Sequence, residues 1–181
     1  MTASSFTLFD TTIGRCGVAW NEHGLTGVQL PQPNDVQTRT RLTQRAGSEL
    51  SEASPPPPVA RAIAGMTALL DGRNADLTGI ELDMSQVPEF NRGVYAIARE
   101  IPPGKTLTYG DIARRLGGLE LSRDVGQALG QNPFPIVVPC HRVLAAGGKP
   151  GGFSANGGVK TKLKMLAIEG AYVNHTPSLF D

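Results

Sequence analysis

Four consecutive prolines at positions 55–58 impose the sharpest constraint on this chain. Proline has no backbone N–H and a fixed φ, so a run of them suits neither a helix interior nor a central strand. Ser51–Pro58 is therefore expected to be a stiff, extended loop with separate structure on each side. Upstream, Phe6–Thr11, Arg15–Trp20 and Leu25–Leu30 read as short strands. A turn at Gly14 and the Asn21-Glu22-His23-Gly24 connection separate them. Asp35–Arg45 is polar and reads as a short helix. Downstream, Val59, Ile63, Met66 and Leu70 recur at helical spacing until Asp71-Gly72, and Leu77–Leu82 alternates as a fourth strand. Sheet plus helices in residues 1–84 makes a small α/β domain.

Residues 85–173 carry a different punctuation. Phe90, Val94, Ile97, Ala98 and Ile101 form an apolar stripe that Pro102-Pro103-Gly104 stops. Tyr109–Leu116 reads as a second helix with Thr108 as its N-cap. After Gly117-Gly118, Ser122 is placed to cap a third helix that ends near Gln131, before Asn132-Pro133. Two short helices joined by a Gly-containing turn fit a DNA-binding helix-turn-helix. On the third helix Val125, Ala128 and Leu129 form the buried side, continued by Asn132. Arg123, Gly126, Gln127 and Gly130 share the opposite side. Its two glycines cost helix stability, about 1 kcal/mol each relative to alanine. Such a face serves close approach, either of another helix or of a nucleic-acid backbone.

Charge follows the same division. Residues 1–84 hold six arginines and no lysine against nine acids, and residues 85–181 hold eleven basic residues against seven acids. An anionic partner is expected to meet the second half. No run of about 18 apolar residues is present, so no membrane span is expected. The N-terminus lacks the basic stretch and apolar core of a signal peptide. With two cysteines, Cys16 and Cys140, this favours a reduced, cytoplasmic setting without a disulfide. Cys16 and His23 fall short of the four ligands of a structural zinc site, so no metal is expected.

The chemistry concentrates in Pro133-Phe134-Pro135-Ile136-Val137-Val138-Pro139-Cys140-His141-Arg142-Val143. Ile136–Val138 reads as a short buried strand that delivers Cys140. His141 and Arg142 are expected to favour the reactive thiolate by lowering the thiol pKa. Adjacent side chains on an extended segment point to opposite faces, so a bridging water is the expected proton route from Cys140 to His141. A histidine base needs a group to hold its tautomer. Glu169 is the candidate, near the end of a helix with Val159, Leu163 and Leu166 on one face.

With these residues in view, the chain resembles the O6-alkylguanine-DNA alkyltransferases, the methylated-DNA–protein-cysteine methyltransferases. The likeness rests on Pro-Cys-His-Arg-Val at 139–143 behind Gly-Gln-Asn-Pro-Phe-Pro-Ile-Val-Val at 130–138. It extends to Val-Tyr-Ala-Ile-Ala at 94–98, Ile-Pro-Pro-Gly-Lys-Thr-Leu-Thr-Tyr-Gly at 101–110 and Gly-Gly-Phe-Ser at 151–154. The first half resembles the family's variable N-terminal domain only in layout.

The resemblance implies an α/β (α+β) protein of two domains. Residues 1–84 would form a ribonuclease H-like antiparallel sheet with helices, and residues 85–173 a mainly helical winged helix-turn-helix, with 174–181 as a tail. It implies irreversible, stoichiometric repair, in which the alkyl group of a flipped O6-alkylguanine in double-stranded DNA moves to Cys140. His141 would deprotonate Cys140 through water, Glu169 would orient His141, and Asn132 would brace the turn. Tyr109 would donate a proton to the leaving guanine and crowd the rotating phosphate. Arg123 would fill the gap left in the base stack, on a DNA-binding surface with Thr108, Gly126, Gln127 and Gly130. Pro135, Val143, Phe153 and Ser154 would form the substrate pocket, Ser154 bonding the O6 edge. No cofactor is implied, and a monomer is expected. Asp124 departs from the small residue expected there, and Asn156 from the proline of many bacterial relatives. Three rival functions are a non-catalytic lesion binder, a sequence-specific transcription factor and a Cys-His hydrolase. Cys140 argues against the first, and Gly126 and Gly130 on the reading face against the second. The third would turn over repeatedly.

Overall fold

The computed structural model describes residues 4–47, 49–171 and 173. The expected tail at 174–181 lies outside the described residues. Three strands, β1 (Ser4–Thr11), β2 (Gly14–Asn21) and β3 (Gly24–Gln29), form an antiparallel meander. Gly14, at φ 123°, makes the first turn, a conformation that a side chain would oppose. The three predicted strands match these within two residues.

The fourth strand is not Leu77–Leu82. It is β4 (Leu50–Glu52), which pairs in parallel with β1 at the sheet edge, giving the order β3-β2-β1-β4. Leu82 makes one isolated bridge to Leu25. The carbonyls of Leu77, Thr78 and Ile80 are taken by the Arg99 guanidinium at 3.2, 3.2 and 2.9 Å, which removes them from any ladder.

Helix α1 (Asp35–Ala46) is capped by Asn34, whose side chain accepts from the Gln37 N–H. It covers one face of the sheet with Leu42 against Phe6 and Ala19. Helix α2 (Pro57–Leu70) covers the other face and corrects the proline expectation, because Pro57 and Pro58 are its first residues. The first-turn N–H groups of a helix have no intrahelical partner, so proline sacrifices nothing there. Val59, Ala62, Met66, Leu69 and Leu70 of α2 join Val18, Trp20 and Val28 of the sheet in a buried cluster. That cluster continues without a break into Val94, Tyr95, Val125 and Val138 of the second half.

The second half comprises α3 (Glu89–Arg99), β5 (Leu107–Thr108), α4 (Tyr109–Leu116), α5 (Ser122–Gly130), β6 (Val143–Leu144) and α6 (Val159–Ile168). Strands β5 and β6 pair in parallel and set the start of α4 beside the segment that follows Cys140. At α4 the Thr108 hydroxyl accepts from the Asp111 N–H at 3.0 Å, and the Asp111 carboxylate accepts from the Thr108 N–H at 2.9 Å. This reciprocal cap starts the helix. Ser122 does not cap α5. Its hydroxyl donates to the Leu119 carbonyl of a preceding 3₁₀ turn, Leu119–Leu121, and is itself the first residue of α5.

Ile136–Val138 is a turn rather than a strand. Pro133, Pro135 and Pro139 have no N–H for a ladder, and the Val138 N–H closes back on the Phe134 carbonyl at 2.8 Å. Ile136 sits at φ 76°, a left-handed conformation that costs an L-residue about 1–2 kcal/mol. Full burial of Phe134, Ile136, Val137 and Val138 holds it there.

Candidate active site

Helix α5 is clamped from behind by α3. The Tyr95 hydroxyl donates to the Ala128 carbonyl at 2.6 Å, and the Asn91 amide donates to Gln131 Oε1 at 3.0 Å. Val125, Ala128 and Leu129 are buried, as their spacing predicts. The opposite side faces outward: Arg123, Gln127 and Gly130 are exposed and Gly126 is half-buried. A Cβ built on Gly126 or Gly130 meets nothing within 4 Å. The glycines therefore do not serve packing of another helix, and the face is open to a partner from outside.

Past α5, Asn132 is buried and spends its side chain on the turn. Its Oδ1 accepts from the Phe134 N–H and its Nδ2 donates to the Val138 carbonyl, both at 2.9 Å. The Asn132 carbonyl in turn accepts from Arg45 of α1, whose Nε donates to Gln29 Oε1 at 2.6 Å. The first half of the chain thus reaches the turn that presents the cysteine.

Cys140 opens a 3₁₀ turn, Cys140–Arg142, and is half-buried in the wall of a cavity of about 330 Å³. Tyr109, Gly126, Leu129, Gly130, Gly152, Phe153 and Ser154 complete the lining. Of the four expected pocket residues, Phe153 and Ser154 are present. Pro135 and Val143 are buried elsewhere: the first lies in the turn packed into the core, and the second pairs with Leu107 in β6.

His141 is 1% exposed, and its Nε2 lies 2.7 Å from Glu169 Oε1. Its Nδ1 is buried and has no hydrogen-bond partner among the described residues. The Glu169 carboxylate also receives a fork from Arg142, with Nε to Oε2 at 2.9 Å and Nη2 to Oε1 at 2.8 Å. Arg142 Nη1 donates to the Ile101 carbonyl at 2.7 Å, which ties the end of α3 to the cluster. These donors hold Glu169 down to about 2 despite burial, which alone would raise it. A carboxylate on Nε2 requires the proton there and leaves Nδ1 as a free lone pair. Burial lowers the His141 pKa more than Glu169 raises it, so the imidazole is neutral near pH 7.

For Cys140 the expected electrostatics are reversed. Burial pushes the thiol pKa up, and the groups that oppose this are the Asn132 side chain, Lys162 and Arg45 rather than His141 and Arg142. His141 is neutral, and Arg142 is committed to Glu169. Lys162 is hidden in the sequence by the apolar pattern of α6, which sets Val159, Leu163 and Leu166 on one face. Its buried face is Lys162, Met165 and Leu166. The signal was present, since Lys162 is three residues from both Val159 and Met165. Arg45 left no such trace in a polar helix far from Cys140 in sequence.

Tyr109 lies on the cavity wall, and burial raises its phenol pKa, so it keeps its proton at neutral pH. Gly151, at φ 70°, packs beneath it: a Cβ there would come within 3.0 Å of the phenol oxygen. Arg123 makes no hydrogen bond or ion pair among the described residues. Thr108 spends its hydroxyl oxygen on the α4 cap.

A family model described as the 6-O-methylguanine DNA methyltransferase, DNA binding domain, matches residues 89–171. The methylated-DNA–protein-cysteine methyltransferase of Methanothermobacter thermautotrophicus is 34% identical over 154 residues, 85% of this chain and 78% of the relative. The enzyme of that name from Mycolicibacterium paratuberculosis is 34% identical over 172 residues, 95% of this chain and 96% of the relative. Among solved structures, Mycobacterium tuberculosis OGT in complex with DNA aligns with a TM-score of 0.74 at 29% identity, over 92% of each chain.

Proposed function

The chain belongs to the methylated-DNA–protein-cysteine methyltransferases, and we propose that it moves the alkyl group of O6-alkylguanine in double-stranded DNA onto Cys140, once per molecule. The observation that carries this reading is a cysteine in a cavity whose rim is the open glycine face of a helix-turn-helix.

A base inside a duplex is out of reach, so the damaged nucleotide must be extruded, at a few kcal/mol of unstacking. The DNA backbone approaches α5 over Gly126 and Gly130, with Gln127 and Thr108 alongside. Arg123 fills the gap in the stack. The flipped guanine enters between Tyr109 and Phe153, and Ser154 meets its O6 edge. His141 Nδ1, oriented through Nε2 by Glu169, accepts the Cys140 proton through a water. The thiolate attacks the alkyl carbon as an S–C bond forms and the C–O6 bond breaks. Tyr109 gives its proton to the departing guanine, which would otherwise leave as a poor anionic group. Asn132 keeps Cys140 in place through the Val138 carbonyl.

The thioether product has no internal means of reversal, because Cys16, the other thiol, is buried in the sheet core. The reaction therefore stops after one event and uses no cofactor. We assign the DNA-meeting surface to residues 85–173 and a supporting role to residues 1–84, in a cytoplasmic monomer. Among the described residues no helix is long and apolar enough to cross a membrane.

Duplex DNA carrying one O6-methylguanine, in excess over protein, tests this by intact-protein mass. The expected result is a gain of one methyl group per chain, mapped to Cys140, and none in Cys140→Ala. Preferential binding to the lesion without mass gain would mean a damage binder. Repeated turnover on an ester would mean a hydrolase.

A further inference from the structure

Lys162 is 1% exposed, inside a protein where lysine is almost never fully buried unless paired. Among the described residues no carboxylate pairs with it. Two of its three N–H donors go to carbonyls, that of Val143 at 2.6 Å and that of Gly152 at 3.3 Å. The ammonium lies 5.8 Å from the centre of the Tyr109 ring and 6.0 Å from that of Phe153, both rings being walls of the Cys140 cavity. The titratable groups around it are Cys140 on the 3₁₀ turn, His141 beside it and Tyr109 on α4. His141 is neutral and holds Glu169, and Glu169 is spent on His141 and Arg142. Among the described residues, the one anion left for this cation to meet is the ionised Cys140.

We infer that Lys162 is the resident counter-ion of the Cys140 thiolate and, through its two carbonyl bonds, the tie that closes the Phe153–Ser154 loop over that sulfur. It is a positioning residue: it acts on the reaction through Cys140 and the pocket wall and donates no proton to the substrate. Burial pulls its pKa down to about 8, and the Cys140 charge works in the opposite direction. The cation therefore favours the thiolate that forms when Cys140 gives up its proton, and that support is lost as pH rises through the lysine's value. The inference rests on Cys140 being the nucleophile, but its test does not depend on alkylguanine.

The test is the rate at which iodoacetamide alkylates Cys140 as a function of pH, followed by intact mass with the site mapped. Wild type, Lys162→Met and Lys162→Arg are compared. Methionine fills the space without charge, and its midpoint is expected to rise by about one pH unit or more, which makes it about tenfold slower below the midpoint. Arginine keeps the midpoint near that of wild type. A purely packing role would leave the midpoint unmoved in a folded methionine variant, and that result would overturn the inference.

If the methionine variant does not fold, the reciprocal measurement decides. In Cys140→Ser the lysine has no anion to meet, so its pKa, read by nitrogen NMR of the side chain, is expected to fall by about one unit. An unchanged value would overturn the inference. A wild-type protein that shows these shifts yet takes no methyl group from DNA would refute the proposed function and leave the role of Lys162 standing.

Discussion

Replacing Glu169 by glutamine removes the one negative charge from a cluster that excludes solvent. The carboxylate is 3% exposed and receives His141 and both arms of the Arg142 fork. Its pKa falls from the ordinary 4.5 to about 2. A difference of that size corresponds to about 3 kcal/mol of folding stability at neutral pH. The sign follows from the direction. A carboxylate with a depressed folded-state pKa stabilises the protein above its unfolded value, and that stability drains away as pH falls from about 4.5 towards about 2. Glu169→Gln also strands Arg142, whose side chain is 7% exposed, without its counter-charge. Urea unfolding at pH 7 is therefore expected to show a loss of about 3 kcal/mol or somewhat more. At about pH 3 the gap should shrink by about half or more, because the wild-type advantage itself is draining away. Adding Arg142→Met to Glu169→Gln should recover much of the loss, since a neutral pair replaces a lone buried cation. A loss below about 1 kcal/mol at pH 7, or one that is the same at both pH values, would refute the reasoning.

Two further outcomes follow from the same geometry. Gly126→Ala and Gly130→Ala add a methyl group where nothing lies within 4 Å, so each should raise the thermal unfolding midpoint by an amount worth up to about 1 kcal/mol. The same changes should weaken binding to duplex DNA in a fluorescence anisotropy titration, and unchanged affinity would show that DNA does not approach over this face. Asn132→Ala leaves the Phe134 N–H buried without a partner and removes one of the two donors to the Val138 carbonyl, which keeps the Cys140 N–H at 2.8 Å, with an expected cost of about 1–3 kcal/mol in urea unfolding. A cost near zero would mean that the turn holds itself without the asparagine.

The elements that were legible in the chain are those built from local rules. Alternation over a few residues and a turn glycine marked β1, β2 and β3. Helical spacing marked α3, α4 and α5, with Thr108 as the cap of α4, whereas the reciprocal Asp111 bond and the 3₁₀ entry to α5 emerged only in the structure. Pro-Cys-His-Arg singled out the candidate nucleophile, and the candidate base and its orienting carboxylate were found together at 2.7 Å. The local rules failed where a neighbour in space sets the outcome. A three-residue edge strand such as β4 is too short to carry a period. Ile136–Val138 reads as strand by composition, but flanking prolines deny it a ladder and its own burial turns it.

The charges around Cys140 divide the same way. His141 and Arg142 stand beside it in sequence, yet one is neutral and the other is bound to Glu169. The cations that act on the thiol come from Lys162 on α6 and Arg45 on α1. Which residues form most of the helices, and which cysteine is the candidate nucleophile, was written in contiguous patterns. Which charge meets that sulfur depends on distance and burial across the folded chain, and the chain acquires those only when α1, the 133–139 turn and α6 pack together.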